Sequence, residues 1–202
     1  MPSEPPSTDA DDFHLHAWID ESMWLPADRS SGTYFLAAVV ADPNTCEPVR
    51  DSMLSLLPRR ADRLHWRHET PQRQIKIAEA IAVEDLVHIV VIGVPLDPRR
   101  QERGRRYCME RLLHELSSMG VSRAWFESRH PALNRRDVKM VDALRSKNAI
   151  EGIVVEFALP KEEQMLWIAD AVAGAVSGAE RGAHEAREAL GTTVHEVRIE
   201  LA

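Results

Sequence analysis

From Leu166 to Ala175 the chain reads Leu-Trp-Ile-Ala-Asp-Ala-Val-Ala-Gly-Ala, and its one carboxylate constrains the fold more than any other residue. Burying a carboxylate without a partner costs on the order of several kcal/mol. Asp170 must therefore face solvent or meet a partner such as a cation. Helical spacing puts Leu166, Ala173, Gly174 and Ser177 on its side. That face is small and largely apolar, so it can lie close against a sheet, which favours the inward orientation. The alternative is a solvated Asp on an amphipathic helix.

A sheet for this helix is legible upstream. His14 to Ser22 (His-Leu-His-Ala-Trp-Ile-Asp-Glu-Ser) reads as a strand that ends on two carboxylates and a hydroxyl. Alternation puts His14, His16, Trp18 and Asp20 on one face, and Leu15, Ala17, Ile19 and Glu21 on the other. Asp20 is the expected site residue; Glu21 cannot share its site unless the strand bends. The plain alternative is a strand that merely ends in polar residues. Turn chemistry over 26–32 leads to a buried strand, Thr33 to Ala41, antiparallel to the first. Asp42-Pro43-Asn44 stops it and can cap a helix to about Leu57.

Arg59 to Pro71 is irregular, with Thr70 and Pro71 able to open a helix to about Val83. Leu86 to Val94 is a third strand, and Pro98 to Met119 a helix with a basic start, ended by Gly120. Val121 to Ser128 is a fourth strand and also finishes on an acid, Glu127. A helix from Asn134 to about Lys147, a strand from Gly152 to Leu159 and a helix from Glu162 to about Ser177 follow. Residues 179–191 read as a polar continuation, and Thr193 to Leu201 alternates like an edge strand. Three meandering strands followed by strand–helix units define an α/β protein with a mixed sheet flanked by helices.

With 202 residues, one domain over 13–202 is expected, with an excursion at about 42–85 and a disordered tail over 1–12. Apolar runs of about nine residues are far too short to span a membrane. Cys46 and Cys108 form no disulfide framework or zinc motif, and no basic-plus-apolar leader precedes Asp20, so a cytoplasmic location is expected. The net charge is −7, yet residues 50–147 hold 20 of the 25 Lys and Arg against 13 of the 32 Asp and Glu. Such asymmetry allows a basic face on an acidic protein.

Asp-Glu-Ser at the end of the first strand, Tyr-Phe-Leu-Ala-Ala-Val-Val in the second and Trp-Ile-Ala-Asp-Ala-Val-Ala-Gly late in the chain resemble a bacterial family. It is the one catalogued as domain of unknown function 3800, related to the ribonuclease H-like nucleases and integrases. The resemblance spans about residues 14–178. It departs at Met23, where that family usually has Gly, at Glu127, where Asp is commoner, and in the 42–85 excursion. It implies a ribonuclease H-like five-stranded sheet of order 3-2-1-4-5, with the last helix across strands one and four. It also implies that Asp20, Glu127 and Asp170 converge as metal ligands. Three clustered carboxylates need a cation, and oxygen-only ligation suits Mg²⁺ or Mn²⁺. Metal-dependent phosphodiester hydrolysis of DNA or RNA is the function implied.

His65, His68 and Glu69 lie in a basic stretch and are further catalytic candidates, able to orient water, bind phosphate or assist proton transfer. Glu102 and Glu110 are candidates for a fourth carboxylate, against the plainer reading as surface glutamates. Arg59, Arg60, Arg63, Arg67, Arg99, Arg100, Arg103, Arg105 and Arg106 are expected to converge in part on one rim of the site. Trp18, Trp66, Trp125 and Trp167 read as core, Trp66 least clearly. Nucleic acid is the expected partner, and a homodimer is left open. Two other functions compete: an inactive ribonuclease H-like binding module, and a metal-dependent hydrolase of a small phosphorylated molecule. The latter needs no basic track.

Overall fold

The computed structural model describes residues 14–28 and 31–201; the tail expected over 1–12 lies outside the described residues, as does part of the turn after the first strand. Six strands form one sheet: β1 (Leu15–Trp24), β2 (Gly32–Ala41), β3 (Val87–Leu96), β4 (Val121–Glu127), β5 (Val154–Ala158) and β6 (Val194–Glu200). Their order is β5-β4-β1-β2-β3-β6. The expected order 3-2-1-4-5 is contained in this, and the five-strand count is corrected to six. The alternating C-terminal segment pairs in parallel with the outer side of β3. β1, β2 and β3 are antiparallel in succession, and β4 and β5 join in parallel beside β1.

The continuous apolar character of β2 follows from burial on both faces. Phe35, Ala37 and Val39 belong to one core, and Leu36, Ala38 and Val40 to the other. The first core is covered by α1 (Cys46–Ser55), α2 (Pro71–Ala82) and α5 (Met165–Ala179), the second by α3 (Gln101–Ser118) and α4 (Pro131–Ser146). A short α6 (Glu185–Ala189) leads into β6.

Thr70 accepts a hydrogen bond from the Arg73 N–H and opens α2, as the Thr-Pro pair indicates. α4 begins at Pro131 rather than Asn134, because the His130 ring accepts from the Ala132 N–H and caps it.

One expectation changes in a way that shapes the site. α5 lies over β1 and β2 rather than β1 and β4. Ala37 and Val39 give its Ala/Gly-rich face a close approach, whereas the same side of β4 carries the bulky Trp125. The 42–85 excursion packs into the first core through Met53, Leu64, Trp66 and Ile81.

Candidate active site

β1 does not end at its acids. It continues to Trp24 as half of a hairpin with β2, leaving Asp20 opposite Ala37 within the strand. What ends there is the pairing with β4. Trp18 is level with Trp125 and Ile19 with Phe126, so the next pair along is Asp20 and Glu127. Parallel in-register neighbours point to the same face. The two carboxyls therefore meet where β4 stops. α5 crosses the same face and lowers Asp170 towards them.

The charges are crowded. Asp20 is 9% exposed. Burial, then the charges of Glu127 and Asp170, then a side-chain hydrogen bond with Glu127 push its pKa well above the usual carboxylate range, and Arg105 only partly opposes this. A hydrogen bond between two carboxyls requires a proton, and burial with the neighbouring negative charge favours one on Asp20. The Glu21 N–H also donates to Asp20 Oδ1 at 2.7 Å.

Asp170 is oriented by the excursion. Its Oδ2 accepts from the Trp66 N–H at 2.9 Å and meets His65 Nδ1 at 3.1 Å. A carboxylate oxygen can only accept, so Nδ1 carries the hydrogen, and in the neutral ring Nε2 is then the acceptor. Gly174, one turn along α5, makes this possible: a Cβ there would stand 2.0 Å from Cδ1 of the Trp66 indole. Trp66 is thus core, not an exposed stacking platform.

Asp20, Glu127, Asp170 and His65 line one cleft of about 200 Å³. The other two expected residues do not. His68 is exposed, its ring packed edge-on against His65 at 4.4 Å between centroids. Glu69 pairs with Arg73 across the first turn of α2. Glu102 is held by Arg129 at 2.8 Å and Glu110 lies in a groove between α3 and α4, so neither supplies a fourth carboxylate.

The arginines divide. Arg63 approaches Glu127 at 3.6 Å, and Arg105 is 2% exposed beside the cleft. Arg67 lines an adjoining groove, Arg103 and Arg106 line the α3–α4 groove, and Arg99 and Arg100 stay by Asp97. Arg59 and Arg60 are exposed. Arg105 pairs with Glu21 and, at 3.0 Å, with Asp137, which also receives Arg129 at 3.0 Å. Glu21, Asp137 and Arg129 were not expected at the site. Alternation correctly puts Glu21 on the face opposite Asp20, but Arg105 comes up on that face and closes the cleft from beneath.

The donor set fits a hard divalent cation, since the three acids offer oxygen and the Asp20–Glu127 pair is short of positive charge. Among the described residues, no group of three or more His, Cys, Asp or Glu side chains is already arranged to hold a metal ion. A cation there competes with the proton that the raised pKa of Asp20 favours.

No family model matches the sequence, and no curated protein matches it. Among solved structures, the chain is similar to one in the structure of the PCNA:RNase HII complex from Archaeoglobus fulgidus, at 14% identity and a TM-score of 0.50. The likeness covers 86% of this chain and 77% of that one. With the mixed sheet and its helical layers, it establishes a ribonuclease H-like fold. Among the described residues, no helix is long and apolar enough to cross a membrane.

Proposed function

We propose that the protein is a metal-dependent nuclease that hydrolyses phosphodiester bonds in nucleic acid at the carboxylate cleft. The observation that carries this is the meeting of Asp20, Glu127 and Asp170 at the point where β4 leaves β1. Asp20, Glu127 and Asp170 would hold Mg²⁺ or Mn²⁺ through their oxygens. Such a cation would supply charge neutralisation and a water acidic enough to attack phosphorus.

The chain's own groups do the rest. The Trp66 N–H fixes one oxygen of Asp170, a residue that lines the cleft. His65 donates Nδ1–H to Asp170, so Nε2 is free to take a proton from the attacking water or return it to the leaving oxygen. Arg63, 3.6 Å from Glu127 and partly exposed, is placed to bind a phosphate oxygen. Arg105 stays with Glu21 and Asp137 and offsets part of the negative charge beneath the cleft.

One observation favours a second reading, an inactive binding module: the acids are engaged by each other, by His65 and by Trp66 rather than set out around a cation position. Thermal unfolding of the wild type and Asp170→Asn, with and without Mn²⁺, separates the two when run beside a cleavage assay on single- and double-stranded DNA and RNA. A nuclease gives a Mn²⁺-dependent rise in Tm and metal-dependent cleavage, both lost in Asp170→Asn. A wild type with neither a metal shift nor cleavage is the binding module.

A further inference from the structure

Beyond the carboxylate cleft, a groove of about 690 Å³ runs between α3 and α4. That is within the range of clefts that take up small-molecule-sized ligands. Tyr107 and Met140 are on its floor, and Arg106, Arg136 and Lys139 stand around it. None of these three cations has an ion-pair partner among the described residues, whereas Glu102 and Asp137, on the same groove, are paired with Arg129, and Asp137 with Arg105 as well. Of the acids lining the groove, Glu110 alone has no ion-pair partner among the described residues. A protein of net charge −7 thus keeps a surplus of free positive charge in one concave place.

The groove and the cleft share no lining residue but lie at the same end of the sheet, joined through buried ion pairs. α3 and α4 both begin at the end of the sheet where β3 and β4 finish, which is the end that carries Glu127. Asp137 lines the groove and bonds Arg105, which lines the cleft; Arg129 bridges Glu102 on the groove and Asp137.

We infer that the α3–α4 groove binds a single-stranded flank of the nucleic acid whose phosphodiester is cleaved in the carboxylate cleft. This rests on the nuclease reading and adds the strandedness of the substrate and a second binding surface. Free cations along a groove with an aromatic ring at its floor are the combination that holds a strand by its phosphates while a base stacks. Arg103 lies 5.6 Å from the centre of the Tyr107 ring and donates to its hydroxyl at 3.2 Å, a cation–π pair that a base can join. Neighbouring helix axes lie about 8–10 Å apart. A duplex, with a major groove alone about 12 Å wide, touches only the rim of such a groove.

The test is fluorescence anisotropy of the full chain in EDTA with a labelled 20-nucleotide single strand, DNA and RNA in turn, and a blunt duplex of the same sequence. Wild type is compared with Arg106→Gln/Arg136→Gln and with Tyr107→Ala, all sites at the surface of the groove. The inference expects the single strand to bind more tightly than the duplex. In the double variant, log affinity should fall less steeply with log salt, by roughly 1.4 in slope, as two phosphate contacts are removed. Tyr107→Ala should weaken single-strand binding about tenfold with the slope unchanged. Both variants should still cut a tetranucleotide at the wild-type rate with Mn²⁺. Wild-type cleavage together with unchanged affinity and slope in both variants overturns the groove alone. Tighter duplex binding by the wild type overturns it as well. Absence of both binding and cleavage in the wild type overturns the nuclease reading with it.

Discussion

The backbone N–H of Trp66 donates to Asp170 Oδ2 at 2.9 Å while the Trp66 indole covers the bare Cα of Gly174. One residue of the excursion thus holds α5 at two successive turns, by a hydrogen bond and by contact. Gly174→Ala makes the dependence measurable. The helix gains about 1 kcal/mol from the better helix former, but the new methyl would stand 2.0 Å from the indole and must push it out. Overpacking of this kind costs about 1–3 kcal/mol, so urea unfolding should show a net loss of stability. Cleavage should fall further than stability, because the Trp66 N–H leaves Asp170. A variant as stable and active as wild type would show that the contact is dispensable.

Asp20 destabilises the metal-free protein whenever it is charged. Its folded-state pKa is raised, so its contribution is most favourable in acid and is lost as pH rises from the unfolded value through the raised folded one. Asp20→Asn keeps the shape and removes the charge. Without metal it should be more stable than wild type at pH 7, and the difference should shrink towards pH 4. Cleavage should be lost. Denaturant melts at the two pH values check the sign.

His88 acts in the opposite sense. It is fully buried on β3, neither ring nitrogen has a hydrogen-bond partner among the described residues, and burial, aided by Arg187 and His195, lowers its pKa to about 4. The unfolded chain takes up its proton near pH 6.5. Stability present above that value should therefore drain away as pH falls towards 4, by about 3 kcal/mol. His88→Leu removes this acid-side loss, and unfolding free energies at pH 7 and 5 should differ less in the variant than in wild type. An equal pH dependence in both would assign the acid sensitivity elsewhere.

Arg105 is the buried charge on which the underside of the cleft depends. Its guanidinium joins Glu21 and Asp137 and lies 5.8 Å above the Phe126 ring. Arg105→Met leaves Glu21 without its cation and Asp137 with Arg129 alone, at a cost of about 3–5 kcal/mol. Arg105→Lys should recover little of it, since one ammonium cannot replace a planar fork between two acids. Thermal melts of the two variants settle the point: a Lys variant matching wild type would mean that charge alone matters.

Much of this was legible in the residues. Alternation in β1 assigned Asp20 and Trp18 to the face that α5 covers, and the lone charge of α5 did have partners. The helical period also contained Arg105, unread: positions 105, 108, 109, 112 and 116 make one stripe, whose other members are buried apolar residues. Asp137 stands in the same relation to Met140, Val141 and Leu144. Two opposite charges on two inward stripes are an ion pair visible before any coordinates. The segment of charge around Arg105 obscured it, since a run of arginines reads as a solvated face. Trp66 and His65 were less accessible. Their partner lies more than a hundred residues away, and a single turn of tight helix before a proline has no periodic signature. The sixth strand showed its alternation, but nothing local says which edge a terminal strand will join.

The excursion that carries Trp66 belongs to no strand, yet it sets where one of the three acids stands. The cleft therefore has a fixed floor and an exchangeable wall. Asp20 and Glu127 are held by strand register, which cannot shift by less than a residue without turning every side chain over. Asp170 is held by one amide and one ring from the loop before α2, which can shift by fractions of an ångström. Substitutions between 58 and 70 can thus change the spacing of the acids continuously while the sheet stays as it is, so fine adjustment of this site belongs to the wall.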